Sequence, residues 1–198
     1  MPQLPVSDQA IHTILTSLTG FHDGWNATST VPQIEARYPP ADYKTPSSRL
    51  TTLGTDFLFR CGTRTTARAL SARGIRTFLY QFDLHHATYL DPASDICERD
   101  AEVKCGVYHG SEVRHVWASG EDVTRADRMV TRAMGQYWTN FAKRGTPNEA
   151  GLQAWPAYNE STDLHLRIAE TVEVGSGYAK SRCDFWDSLP RQVDYPTR

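Results

Sequence analysis

Gly106-Val107-Tyr108-His109-Gly110-Ser111-Glu112 is the stretch on which the reading of these 198 residues turns. A glycine directly after the histidine leaves that side of its ring open to approach. Imidazole titrates near neutral pH, so it can take a proton in one step and return it in the next. A lone histidine is most often a solvated or packed side chain; the company this one keeps sets it apart.

Downstream, Tyr137-Trp138-Thr139-Asn140-Phe141-Ala142-Lys143-Arg144-Gly145-Thr146-Pro147-Asn148 comes at helical spacing, with Trp155-Pro156 and Phe185-Trp186 after it. Upstream stand Tyr38-Pro39, Thr55-Asp56 with Phe59, then Arg64 and Ala67. In this order the motifs resemble the C-terminal part of the type-B carboxylesterases, the cholinesterase-like branch of the α/β-hydrolases. In that family the catalytic histidine lies in an H-G-x-E sequence, matched here by His109, Gly110, Ser111 and Glu112. The resemblance covers roughly residues 34–189. It implies an α/β chain, the C-terminal part of an α/β-hydrolase fold, with a mostly parallel sheet flanked by helices.

The resemblance also implies a reaction for a complete protein: acyl transfer from a carboxylic-ester substrate to a serine, then to water. His109 would accept the serine proton, hand it to the leaving alcohol and repeat the cycle with water. No cofactor and no metal are called for. The family's serine sits in a G-x-S-x-G elbow. No such run occurs in these 198 residues; Gly175-Ser176-Gly177 lacks the spacing. Nor does any residue match the family's acid, so of the triad only His109 carries over. Glu112, three residues on, is read as structural support for the local backbone rather than as the orienting acid. The expectation is a C-terminal segment whose partner is a missing N-terminal half, inactive by itself because it has no nucleophile or oxyanion donors. The alternative is a non-catalytic adhesion or assembly module of the same family.

Four cysteines permit two disulfides and point to an oxidising compartment. The resemblance implies a Cys61–Cys183 bridge, leaving Cys97 and Cys105 in the loop that carries His109. Cys97, Cys105 and His109, with His85, His86 or His115 as a fourth ligand, form the pattern C-x7-C-x3-H, which matches no common zinc module. Asn26-Ala27-Thr28 and Asn159-Glu160-Ser161 are glycosylation sequons. Together with the cysteines they favour secretion or a secretory-pathway lumen. Met1–Ser7 has neither a basic nor an apolar leader region, so the expectation is a chain whose front is absent.

Composition agrees with an ordinary globular chain: 39 % hydrophobic, 22 % charged, net charge -2. Nothing in that balance favours nucleic acid, and no apolar run approaches the ~18 residues of a transmembrane segment. Ile11, Ile14, Leu15 and Leu18 predict a helix between Ser7 and Gly20. Residues 21–30 read as loop, 34–38 as one helical turn and 39–48 as irregular. Leu50, Leu53, Phe57 and Leu58 form one helical stripe, Ala67 and Leu70 another that Gly74 closes. Residues 75–84 predict a strand. Residues 85–108 show no periodicity. Thr124 and Asp127 open the best helix as a capping-box variant; Met129, Val130, Ala133, Met134, Tyr137, Trp138, Phe141 and Ala142 line its core face. Leu164 to Val174 predict a hairpin, and Cys183, Trp186 and Leu189 a last short helix.

Overall fold

A computed structural model describes residues 6–19, 25–84, 107, 110–119 and 124–189. The chain divides into two compact units, Met1–Thr63 with Ala179–Arg198, and Arg64–Tyr178.

In the first unit, helix α1 (Asp8–Thr19) starts where Ser7 Oγ accepts from Ala10 N at 3.1 Å, and it buries Ile11 and Leu15. Helix α2 (Ala27–Arg37) begins earlier than the predicted turn. Asn26 caps it by accepting from Thr28 N at 2.8 Å, and burial of Thr30, Val31 and Ile34 outweighs the poor helix propensity of its threonines and of Pro32. Residues 39–48 are also more ordered than predicted. They hold a 3₁₀ turn, Pro40–Asp42, and the start of α3 (Pro46–Thr55), where Thr45 and Ser48 cap each other. Serine in place of the usual glutamate hid that box in the sequence.

A π turn, Asp56–Arg60, joins α3 to α4 (Cys61–Ala72). Its extra residue rotates the predicted stripe: Leu53 stays buried while Leu58 is 63 % exposed. The core of this unit gathers Tyr38, Leu53 and Phe57 around Trp186 of α7 (Lys180–Ser188). Trp186 lies 5.1 Å from the Phe57 ring and 5.9 Å from that of Trp25.

In the second unit three strands order β1 (Tyr80–Phe82), β2 (Leu164–Ile168), β3 (Val172–Ser176). The β1–β2 pair is parallel and the β2–β3 hairpin antiparallel, so the described sheet is mixed. Strand pairing is confined to residues 80–82 of the predicted 75–84. The flanking carbonyls are also used: Thr77 O accepts from Tyr158 N at 2.8 Å, and Leu79 O accepts the β2 ladder bond from Leu166 N at 2.9 Å as well as Trp155 Nε1 at 3.0 Å. Alternation still sorts its side chains. Phe78, Tyr80 and Phe82 join Leu166 and Ile168 against Val130, Met134 and Tyr137 of the helix below, whereas Leu79 meets Ala67 and Tyr158.

Two helices complete the described unit, the short α5 (Val113–Trp117) and the long α6 (Arg125–Arg144). α6 has the predicted reciprocal cap, Asp127 N to Thr124 Oγ1 at 3.0 Å and Thr124 N to Asp127 Oδ2 at 2.9 Å. It ends on Gly145 at φ +67°, a left-handed conformation that favours glycine. The buried face of α6 is narrower than predicted: Met129 is 52 % and Phe141 48 % exposed. Among the described residues no helix is long and apolar enough to cross a membrane.

Candidate functional site

His109 lies outside the described residues, as do Cys97, Cys105, His85 and His86. The turn directly after the histidine is tied down on two sides. Gly110 takes φ +86°, and its carbonyl accepts from Val113 N at 3.1 Å, closing a turn that leads into α5. Glu112 precedes that helix, and its carbonyl accepts from His115 N at 2.9 Å and Val116 N at 3.1 Å.

The Glu112 side chain turns toward the sheet. Its Oε1 accepts from the Tyr80 hydroxyl at 3.3 Å, linking the turn to β1. Burial drives the Tyr80 phenol well above its ordinary range, and the Glu112 charge and hydrogen bond push the same way. Tyr80 therefore stays protonated and a donor to the carboxylate. In the sequence Tyr80 stands only as one ring of an alternating strand. An aromatic hydroxyl at a partly buried strand position was the available signal, since such a group needs a partner.

The second tether is His115. It is fully buried in α5, its Nδ1 lies 2.8 Å from Thr131 Oγ1 of α6, and its ring is 5.4 Å from that of Phe82. Considered from sequence only as a spare zinc ligand, it is a packed link between two helices. Among the described residues no group of three metal-binding side chains occurs. Ser111 is 6 % exposed, and its Oγ has no hydrogen-bond partner among the described residues. Val113 and Trp117, one helical turn apart, are 47 % and 75 % exposed.

The remaining sequence candidates lie on other elements. Cys61 and Cys183 are bridged, with Cα atoms 4.9 Å apart, and belong to the first unit. Both sequon asparagines are exposed. Asn26 is the α2 cap, and Asn159 Oδ1 accepts from Ser161 N at 2.8 Å and Ser161 Oγ at 2.6 Å.

Sequence comparison adds an independent finding. The profile of the carboxylesterase family matches residues 9–186. Carboxylesterase 5A of Canis lupus familiaris is 32 % identical over 135 residues, 63 % of this chain and 22 % of that protein. Carboxylesterase 5A of Felis catus is 32 % identical over 140 residues, 66 % of this chain and 24 % of that protein. Carboxylesterase 1C of Mus musculus is 24 % identical over 192 residues, 94 % of this chain and 33 % of that protein. The chain thus spans between a fifth and a third of the length of these curated relatives.

Proposed function

The chain belongs to the carboxylesterase family, and on that footing we propose that it is the C-terminal portion of a serine carboxylic-ester hydrolase whose histidine is His109. The family brings with it the α/β-hydrolase fold, of which the described parallel β1–β2 pair and its covering helices are a part. The observation that carries the reading is the match over residues 9–186, which includes the H-G-x-E run at 109–112.

In this reading the role of each residue comes from elementary chemistry. His109 is the general base that takes the proton of a serine supplied by an N-terminal portion, and then the acid that protonates the leaving alcohol. Glu112 does not relay charge. Held at 3.3 Å by the Tyr80 hydroxyl, it braces the turn that begins at Gly110. The His115–Thr131 contact restrains the same turn from the helix side. Asn26 and Asn159 would carry N-linked glycans, and the Cys61–Cys183 bridge suits an oxidising lumen or secretion.

The test is direct. Residues 1–198 alone leave p-nitrophenyl ester hydrolysis at background. In a complete protein that contains them, His109→Gln lowers kcat by about a thousandfold or more while KM changes little. Retention of even a tenth of the activity by the variant, or serine-inhibitor-sensitive turnover by residues 1–198, would refute the assignment.

A further inference from the structure

At the start of β1 the second unit holds a cleft of about 340 Å³. Its walls are rings: Phe78 and Tyr80 from the strand segment, Tyr137, Trp138 and Phe141 from α6, and Trp155 from the loop behind. These rings brace one another. Tyr80 meets Trp138 edge to face at 5.2 Å, and Phe78 meets Phe141 at 5.9 Å and Trp155 at 6.0 Å. Side chains locked edge to face do not fold inward to fill the space between them, so the hollow is a property of the packing. Its volume is at the lower end of the roughly 300–1,000 Å³ range of small-molecule sites. At the mouth Ile75 and Phe141 are 50 % and 48 % exposed, leaving an apolar rim in water.

Three polar groups of the wall are committed. The Tyr137 hydroxyl donates to Gln153 O at 2.7 Å, that of Tyr80 to Glu112, and Trp155 Nε1 to Leu79 O at 3.0 Å. Arg76, the charged group of the wall, is exposed and without a hydrogen bond or ion pair among the described residues. Arg76 lines the cleft, and its Nη2 reaches the end of α6, where a Cβ on Gly145 would sit 4.0 Å away. It borders a second hollow of about 490 Å³ as well. Glu149, on the loop after α6, is already engaged by Arg144 at 3.4 Å.

An aromatic slot with one uncommitted guanidinium at its mouth has a definite complement. We propose that this cleft binds a monocarboxylate with an apolar tail, the tail between the rings and the carboxylate on Arg76. A guanidinium matches a carboxylate with two parallel hydrogen bonds. A neutral alcohol of the same length fills the slot but leaves the guanidinium unmatched, and a quaternary ammonium is repelled. Apolar-tailed carboxylates are also what an ester hydrolase releases, although neither the site nor its test depends on that reaction.

Isothermal titration of the 198-residue chain with octanoate, 1-octanol and octyltrimethylammonium tests it. Octanoate binds saturably, octanol about tenfold more weakly and the ammonium not at all. Arg76→Gln loses about tenfold toward octanoate and leaves octanol unchanged; Arg76→Lys lies between, because a point charge replaces the fork. Phe141→Glu at the exposed rim abolishes octanoate binding. Both positions are solvent-facing, and circular dichroism verifies that each variant keeps its fold. Equal affinity for octanol and octanoate, wild-type affinity in Arg76→Gln, or no saturable octanoate binding below its micelle threshold each overturns the proposal.

Discussion

Trp186 donates its indole N–H to the hydroxyl of Tyr38 at 2.6 Å, across 148 residues of sequence. Tyr38 passes the pattern on, donating to Asp56 Oδ2 at 3.0 Å. Asp56 is fully buried and also takes Arg60 at 2.7 Å and Arg182 at 3.1 Å. Burial first, then the Asp56 charge, raises the Tyr38 phenol far out of its usual range, so it stays protonated and can donate. Tyr38→Phe removes an acceptor from a buried indole and a donor from a buried carboxylate. The expected loss is about 2–4 kcal/mol in denaturant unfolding. A loss below about 0.5 kcal/mol would show that the network is dispensable.

The Cys61–Cys183 bridge joins residues 122 apart in sequence. Chain-entropy reasoning puts its worth at about 5 kcal/mol, with measured removals generally at about 2–5. Cys183→Ser should therefore lower the melting temperature by at least several degrees. Equal melting of oxidised and reduced protein contradicts this.

Gly175 lies against the ring of His165: a Cβ there would stand 2.7 Å from Nε2 and 2.8 Å from Cε1. His165 is 5 % exposed and sits 5.2 Å from the Tyr178 ring, so it cannot swing clear. Gly175→Ala should cost about 1–3 kcal/mol through overpacking. In a double-mutant cycle His165→Ala removes the obstacle, and the alanine at 175 becomes nearly neutral. Strict additivity of the two substitutions would deny the clash.

The same histidine gives the chain an acid sensitivity. Burial holds its pKa below the ordinary ~6.5, with the charge of Asp163 opposing and that of Arg167 assisting. The folded state thus keeps His165 neutral where the unfolded state binds a proton. That contribution is complete above about pH 6.5 and declines as pH falls below it. His165→Leu should flatten the stability profile below about pH 6.5. An unchanged slope in the variant rules this origin out.

The sequence disclosed the periodic elements and hid those set by contact. The α6 cap at Thr124 and Asp127, the 164–176 hairpin and the helix holding Cys183 and Trp186 obey local rules, and they stand where those rules put them. α2 escaped notice because its threonines and proline argue for a loop, and only burial of Val31 and Ile34 decides otherwise. The π turn at 56–60 has no signature of its own, since it is where Asp56 finds Tyr38, Arg60 and Arg182. Around the candidate site the H-G-x-E run was legible. The phenol that holds Glu112 was not, because Tyr80 stands 32 residues away and its pairing is purely spatial.

The first unit is assembled from the two ends of the chain, and that arrangement has a consequence for synthesis. Cys61 leaves the ribosome 122 residues before Cys183, and at roughly 5–20 residues per second the interval is roughly 6–24 s. During that time Asp56 has no Arg182, Tyr38 has no indole above it, and the nascent thiol of Cys61 meets Cys97 and Cys105 before its own partner exists. The second unit emerges whole within the same interval. A native Cys61–Cys183 bond is therefore a late product, and its yield in a cell depends on how well thiols are shielded or reshuffled until Cys183 emerges.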